Sequence, residues 1–236
     1  MANAAVVTGA SSGIGQAIVV KLAQSGWRVA AVGRREEELK KTAALAGDLS
    51  KSVLVVPCDV SDPDAVAQMA KRVLKEFTSV QALVNGAGVN TPDRSWKTIS
   101  LETYRQVMEV NVTGAYLCTQ AFLPQMRDRK AGTIVNIVSD SAIQASAKAG
   151  AAYVMSKYAM RGMTQSLNAE ERPNGIRATA IYPGDVDTPL LEKRPTPPTS
   201  EQRRLMMHTE DIDDCAMLAI KLPPRAVIEE LLIRPR

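Results

Sequence analysis

The stretch that decides the fold is VVTGASSGIG, residues 6–15, which lies between a short apolar run and a longer amphipathic segment. Gly9 allows a tight turn, Gly13 lets a phosphate group approach the backbone closely, and Gly15 lets the following helix pack against the strand. The N-terminus of that helix offers free N–H groups and a partial positive charge, and two serines in the turn add hydroxyl donors. No lysine follows the glycines as in a P-loop. The stretch therefore predicts a strand–turn–helix unit that binds the pyrophosphate of a dinucleotide.

Outward from this turn, short β-branched runs alternate with amphipathic stretches along the whole chain. The apolar runs predict strands buried on both faces at residues 5–8, 28–32, 52–56, 82–85, 133–138, 176–181 and 227–233. The amphipathic stretches predict helices at residues 13–25, 36–46, 63–77, 101–127, 151–171 and 210–221. Alternating strands and helices imply right-handed crossovers. The predicted fold is α/β: a single Rossmann-type, doubly wound domain over residues 1–236, with a seven-stranded parallel sheet and helices on both faces.

One segment, residues 185–209, does not fit the alternation, because it contains four prolines and little strand character. It follows the sixth predicted strand, at the carboxyl edge of the sheet where ligands bind in open α/β folds. Long loops in compact domains are usually functional or disordered. We interpret the segment as a substrate lid, with a floppy insertion as the alternative.

Composition narrows the class of protein. The three cysteines, Cys58, Cys118 and Cys215, have no disulfide-framework or metal-ligand spacing, so we expect no metal site and a reducing, cytoplasmic location. A net charge of +4 with 4% aromatic residues is too weak a signal for nucleic-acid binding. We read no signal peptide, and no run of 18 uncharged apolar residues suggests a membrane span.

The end of the second predicted strand indicates which dinucleotide binds. An NAD-binding unit usually has a carboxylate there for the adenosine ribose, but this chain has Gly33, followed by Arg34 and Arg35. Guanidinium groups at this position suit the additional 2′-phosphate of NADP(H). A basic start to a solvated helix is the alternative explanation.

Five ordered motifs carry a resemblance to a known family. They are TGxxxGxG at residues 8–15, NGAG at 85–88, VNVTG around Asn111, YxxxK at 153–157, and PGxVxT at 183–188. These motifs resemble those of the short-chain dehydrogenase/reductase (SDR) family, in its NADP-preferring form, and the resemblance covers nearly all residues from 4 to 233. The glycine at position 86 departs from the family's NNAG.

The resemblance, together with the two arginines after the second strand, implies a set of cofactor contacts that includes residues of four of the five motifs. Asp59 and Val60 resemble the adenine contact, although Asp59 could instead cap the next helix. The full predicted set is Gly9, Ser11, Ser12, Gly13, Ile14, Gly15, Arg34, Arg35, Asp59, Val60, Asn85, Ala87, Gly88, Tyr153, Lys157, Pro183, Gly184, Val186 and Thr188.

The predicted catalytic residues are Asn111, Ser139, Tyr153 and Lys157. Tyr153 and Lys157 lie four residues apart on one helix face, where an ammonium group and a positive nicotinamide would favour the phenolate. The resemblance implies Tyr153 as general acid and base, Lys157 on the nicotinamide ribose, Ser139 on the substrate oxygen and Asn111 on a water next to Lys157.

The position of the serine is less certain than that of the tyrosine, because the interval from Ser139 to Tyr153 is one residue longer than the commonest family spacing. A rigid count back from Tyr153 lands on Asp140, whose charge would disfavour a phenolate. We place the extra residue in the loop at 142–150 and keep Ser141 as the alternative.

These predictions describe an NADP(H)-dependent oxidoreductase that transfers a hydride between the nicotinamide and a carbonyl or secondary alcohol. A small 3-hydroxy acid or a ketone is the candidate substrate. A 3-oxoacyl-carrier-protein reductase is an alternative, although the tail lacks that subgroup's glycine-rich VDGG. A non-catalytic dinucleotide-sensing protein is another alternative. The resemblance also implies a homo-oligomer, either a dimer or a tetramer.

Overall fold

A computed structural model describes residues 3–236; Met1 and Ala2, which the predicted domain includes, lie outside the described residues. The central element is a sheet of seven strands. They are β1 (Ala4–Thr8), β2 (Arg28–Gly33), β3 (Val53–Pro57), β4 (Ala82–Asn85), β5 (Gly132–Ile137), β6 (Ile176–Pro183) and β7 (Glu230–Ile233).

The strand order is β3-β2-β1-β4-β5-β6-β7, and every neighbouring pair is parallel. The chain winds outward from β1 in one direction and returns to wind outward from β4 in the other. The order therefore reverses between β1 and β4, which opens a crevice at the carboxyl ends of these two strands. The predicted doubly wound parallel sheet is confirmed.

Eight α-helices connect the strands of the described chain. They are α1 (Gly13–Gln24), α2 (Glu36–Leu45), α3 (Pro63–Phe77), α4 (Leu101–Met108), α5 (Gly114–Asp128), α6 (Ala151–Glu171), α7 (Ser200–Arg203) and α8 (Thr209–Lys221). No helix among residues 3–236 is both long enough and apolar enough to cross a lipid bilayer.

Strand residues alternate between two hydrophobic cores, one on each face of the sheet. In β1, Val7 packs in the core that contains Leu22 of α1 and Ile212 of α8, whereas Val6 packs against Val73 of α3 and Phe122 of α5. Side chains of successive strand residues point to opposite faces, so an apolar run such as β1 requires helices on both sides.

The structure differs from the predicted elements in three places. The helix predicted over residues 101–127 is interrupted by one π-helical turn at Glu109–Thr113, and the last strand begins at Glu230 rather than at residue 227. The segment 185–209 is not a featureless loop, since it contains a 3₁₀ turn at Pro189–Lys193 and the short helix α7.

Candidate active site

A cleft of about 1000 Å³ opens at the carboxyl edge of the sheet, over the crevice between β1 and β4. Its wall includes the glycine-rich turn, the end of β2, the loops after β3, β4 and β5, the first turns of α6, and the segment after β6. Nearly all of the predicted site residues line this cleft. Asn85 and Asn111 lie behind its wall.

The glycine-rich turn forms one end of the cleft. Gly9 and Gly13 have positive φ angles of 70° and 57°, which favour glycine. A Cβ atom at Gly9 would lie 2.5 Å from the carbonyl oxygen of Gly86, so the turn packs directly on the loop after β4. Ser12 precedes α1, and within the described chain its side chain makes no capping hydrogen bond. The first N–H groups of α1 thus face the cleft as donors for a phosphate, which fits the predicted pyrophosphate site.

The end of β2 supplies the two predicted arginines, both exposed. Arg35 Nη2 lies 3.2 Å from Ser12 Oγ and 3.4 Å from Ser11 Oγ, which brings a guanidinium directly beside the glycine-rich turn. Arg34 Nη1 lies 3.9 Å from Asp59 Oδ2 across the cleft. A Cβ atom at Gly33 would lie 3.2 Å from Ser11 Oγ, so a carboxylate at this position would crowd the turn.

Asn85 is placed inside the fold, 1% exposed, rather than on the cleft wall. Its amide donates to Thr119 Oγ1 at 3.1 Å and to Asn136 Oδ1 at 2.9 Å, which ties β4 to α5 and β5. The loop after β4 is instead held by Thr8 Oγ1, which accepts hydrogen bonds from the N–H groups of Gly86 and Ala87 at 3.1 Å. The Asn85 side chain therefore makes structural contacts behind the loop, and its predicted contact with the cofactor stays a prediction.

Tyr153 and Lys157 lie on adjacent turns of α6, with Lys157 Nζ 5.4 Å from the centre of the Tyr153 ring. Lys157 is 4% exposed, and its ammonium donates to the carbonyl of Ile137 at 2.9 Å. Burial lowers the pKa of Lys157 to about 7. Burial therefore disfavours the charged form of Lys157, which is the form that we expected to stabilise a phenolate.

The pKa of Tyr153 is raised to about 12, chiefly by burial. The hydroxyl of Ser139 lowers this pKa, Asp140 raises it, and the guanidinium groups of Arg94 and Arg194 lower it. Lys157 therefore does not lower the pKa of Tyr153 in this structure, contrary to our expectation. The positive charges that lower this pKa belong to Arg94, in the loop after β4, and Arg194, in the segment after β6.

Ser139, at the end of β5, is the serine placed next to Tyr153. Its Oγ accepts a hydrogen bond from the N–H of Ser141 at 3.1 Å, which fixes the hydroxyl at the start of a 3₁₀ turn. Asp140, between the two serines, forms an ion pair with Arg234 at 3.2 Å, so the charge of its carboxylate is balanced by this guanidinium. This placement supports Ser139 over the alternative, Ser141.

Asn111 lies in the π-helical turn and is fully buried. Its Oδ1 accepts from the N–H of Val89 at 2.7 Å, and its Nδ2 donates to the carbonyl of Val89 at 3.1 Å. A Cβ atom at Gly88 would lie 3.6 Å from Asn111 Oδ1 and 3.7 Å from Lys157 Nζ. The side chains of Asn111 and Lys157 therefore both lie next to Gly88, as their predicted connection through a water requires.

The predicted lid segment divides into a part that lines the cleft and a part that does not. Residues 185, 186, 188–191, 193 and 194 contribute to the wall, while residues 195–209 lie away from it. Ion pairs order the segment: Arg194 with Asp185 at 2.5 Å, and Arg203 with Asp187 at 2.7 Å. Two of the three lid arginines, Arg194 and Arg203, thus have carboxylate partners within the segment.

Sequence reasoning missed Arg94, in the loop between β4 and α4. This residue is 7% exposed, lines the cleft and lies close enough to Tyr153 to affect its pKa. No motif or periodicity marks residue 94, since its contacts come from segments distant in the sequence. Among residues 3–236, no group of three or more His, Cys, Asp or Glu side chains is arranged to hold a metal ion.

Comparison with known proteins identifies the class. The sequence profile described as short chain dehydrogenase matches residues 3–198. An uncharacterized oxidoreductase of Staphylococcus epidermidis is 34% identical over 231 residues, which cover 98% of this chain and 96% of the relative. The chain belongs to the short-chain dehydrogenase family and is an oxidoreductase of that type.

Solved structures agree with this assignment. An alcohol dehydrogenase from the archaeon Thermococcus sibiricus, complexed with 5-hydroxy-NADP, has a TM-score of 0.88 and 29% identity, covering 100% of this chain and 97% of its own. A serine dehydrogenase complexed with NADP+ has a TM-score of 0.90 and 26% identity, covering 98% of this chain and 94% of its own.

Proposed function

We propose that the protein is an NADP(H)-dependent oxidoreductase that interconverts a carbonyl compound and a secondary alcohol, with Tyr153 as the general acid and base. The observation that carries the proposal is the meeting of Tyr153, Ser139 and Lys157 in one cleft that ends at an uncapped, glycine-rich helix N-terminus. Candidate substrates are a small 3-hydroxy acid or a ketone. The similarity to an alcohol dehydrogenase and a serine dehydrogenase supports both.

Residues along the cleft, from the glycine-rich turn to the segment after β6, fit the dinucleotide. The N-terminus of α1 would hold the pyrophosphate, and the segment from Pro183 to Thr188 would face the nicotinamide end. Lys157 would hold the ribose hydroxyls, for which its buried ammonium has donors beyond the one bonded to Ile137. When bound, the dinucleotide supplies or accepts the hydride.

The proton chemistry belongs to the chain itself. The hydroxyl of Ser139 donates a hydrogen bond to the substrate oxygen and holds it beside Tyr153. In reduction, the phenol of Tyr153 gives its proton to the developing alkoxide; in oxidation, the phenolate removes the proton of the alcohol. Burial raises the pKa of Tyr153 and so keeps its phenol protonated at neutral pH, which means that the proton needed for reduction is in place.

The preference for NADP(H) rests on three residues at the end of β2. Gly33 has no carboxylate that could bind the adenosine ribose or repel a 2′-phosphate. The guanidinium groups of Arg34 and Arg35 lie next to this position, where they would neutralise a 2′-phosphate. Both solved structures named above are complexed with NADP-type ligands, which supports the same preference.

A panel of carbonyl compounds and alcohols with NADPH and NADH tests the proposal by following absorbance of the reduced nicotinamide. We expect turnover of at least one pair with NADPH, and Tyr153→Phe should lower kcat by about 10²–10⁴-fold while NADPH still binds. Tyr158→Phe is the matched control, because Tyr158 lies on the same helix with an exposed hydroxyl bonded to the carbonyl of Ile143. Retained activity in Tyr153→Phe would reject the general acid. Tight NADPH binding without turnover of any pair would favour a sensing protein.

A further inference from the structure

Arg94 is a buried cation on the substrate side of the cleft. It lies in the loop between β4 and α4, is 7% exposed, and lines the cleft beside Tyr153. Burial lowers its pKa, and the positive charge of Arg194 lowers it further. Burying a charge is unfavourable unless hydrogen bonds and an opposite charge compensate for it.

The hydrogen bonds of Arg94 compensate only in part. Its Nε donates to the carbonyl of Thr91 at 2.6 Å, its Nη1 to the carbonyl of Lys148 at 3.2 Å, and its Nη2 to the carbonyl of Lys193. A guanidinium has five N–H donors, so one on each terminal nitrogen is left over. Within residues 3–236, no carboxylate oxygen lies within 4.0 Å of Arg94.

Three other cations that line the cleft, Lys148, Arg194 and Arg234, have carboxylate partners, whereas the exposed Lys193 and the buried Lys157 have none among residues 3–236. Asp185 binds both Lys148, at 2.9 Å, and Arg194, at 2.5 Å. Asp140 binds Arg234 in the same way. Arg94 is therefore the buried arginine of the cleft, and among residues 3–236 its charge has no carboxylate partner.

Arg177 provides a comparison for a purely structural role. Its Nε donates to Thr133 Oγ1, and its two terminal nitrogens donate to the carbonyls of Ile220, Leu222, Pro223 and Ala226. These contacts use all five donors, and they lie away from the cleft. The guanidinium of Arg177, which only holds backbone segments together, has an acceptor for each of its five N–H groups. The guanidinium of Arg94 has acceptors for three.

We infer that Arg94 binds the carboxylate of the substrate through its two remaining N–H groups, so that the substrate is an oxo acid or hydroxy acid. A carboxylate matches the two parallel donors of a guanidinium and supplies the missing opposite charge. The inference rests on the proposed function, because it places the reacting oxygen at Tyr153 and the carboxylate a few atoms away. Of the two candidate substrates, the inference therefore favours the acid over the neutral ketone.

A binding experiment tests this site without any turnover. Butanoate and butanamide have the same size and cannot accept a hydride as an oxo group would. In the presence of NADP+, wild-type protein should bind butanoate about 10- to 100-fold more tightly, as expected for a charge-assisted contact, and Arg94→Met should abolish this preference. Equal binding of the two probes by the wild type would overturn the inference.

A kinetic experiment separates the site from the structural clamp. Reduction of acetoacetate and of methyl acetoacetate is compared in wild type, Arg94→Met, Arg94→Lys and Arg177→Met. We expect Arg94→Met to raise KM for acetoacetate about 10- to 100-fold with a smaller effect on the ester, and Arg94→Lys, which keeps the charge, to lose less. Arg177→Met should lower thermal stability without changing the acid-to-ester ratio.

The outcomes distinguish this inference from the proposed function. An equal loss for the acid and the ester in Arg94→Met would assign Arg94 to the clamp alone and overturn the carboxylate site, while hydride transfer stands. Preferential binding of butanoate that depends on Arg94, without reduction of any carbonyl compound, would instead reject hydride transfer and retain the carboxylate site. If Arg94→Met does not fold, Arg94→Lys and the preference of the wild type decide the question.

Discussion

The amide of Asn111 donates a hydrogen bond to the hydroxyl of Ser156 at 3.0 Å, which joins the π-helical turn to the helix that carries Tyr153. Ser156 in turn donates to the carbonyl of Tyr153 at 2.7 Å. Both members of the pair are fully buried. The turn that holds Asn111 is therefore connected to the backbone of the proposed general acid through one side chain.

This connection predicts different costs for its two members. Asn111→Ala leaves the N–H of Val89 without its partner inside the protein and should lower the free energy of unfolding by about 1–3 kcal/mol. Ser156→Ala removes one contact of an amide that still bonds to Val89, and should cost about 1 kcal/mol. Urea denaturation measures both variants, with kcat as a second readout. A larger loss of stability in Ser156→Ala would show that the Val89 contacts matter less than we argue.

The π-helical turn illustrates what the sequence could and could not predict. Residues 101–127 keep a helical pattern throughout, so their periodicity predicted a continuous helix. One extra residue per turn at Glu109–Thr113 changes little in the pattern and is stabilised by tertiary contacts of Asn111. By contrast, the alternating strands and helices follow from local apolar patterns, which is why the sheet and most helix bounds were predicted closely.

Arg94 and Arg234 illustrate the same limit in the site. The motif residues of the cleft lie at fixed intervals from a strand or a helix, so their meeting could be predicted from topology. Arg94 donates hydrogen bonds to carbonyl oxygens 54 and 99 residues away, and Arg234 pairs with Asp140, 94 positions earlier. Nothing in the local sequence of either arginine signals these contacts.

The two candidate serines give a second prediction. Ser139→Ala should lower kcat far more than Ser141→Ala, because the Ser139 hydroxyl lies beside the phenol, while Ser141 is buried and contributes its N–H to Ser139. Since that hydroxyl lowers the pKa of Tyr153, its loss should also move the pH profile of alcohol oxidation to higher pH. Steady-state kinetics of both variants across the pH range provide the measurement. The reverse order of losses would show that the extra residue is wrongly placed in the loop at 142–150.

Burial of Lys157 predicts an effect of pH on stability. The pKa of this amine in the folded protein is about 7, below its ordinary value of 10.5, so between these values the unfolded chain binds more protons. Stability contributed by this group therefore rises with pH across that window. Lys157→Met should raise the free energy of unfolding, and the gain should be about 2–3 kcal/mol larger at pH 6 than at pH 9.

Urea denaturation of the protein without dinucleotide, at both pH values, measures this difference. The matched control is Lys51→Met, because Lys51 is exposed and lies in the 3₁₀ turn before β3. The control should show no comparable difference between the two pH values. A gain in Lys157→Met that is independent of pH would mean that the amine is not titrating within this window.

The last prediction concerns the two arginines after β2. Arg34 is paired at 3.9 Å with Asp59, and both side chains are exposed, so this ion pair contributes little and the guanidinium can turn toward a 2′-phosphate. Arg34→Ala should weaken NADPH binding by about 1.5–3 kcal/mol with little effect on NADH, because NADH has no phosphate at that position. Arg35 already contacts Ser12 of the glycine-rich turn, so the two arginines could share the phosphate and the double variant is needed for the full loss. Fluorescence titration of both dinucleotides against wild type, each single variant and the double variant measures these effects, and added salt should reduce the preference since the site is exposed. Equal weakening of NADPH and NADH, or a wild type that binds NADH more tightly, would reject the NADP(H) assignment.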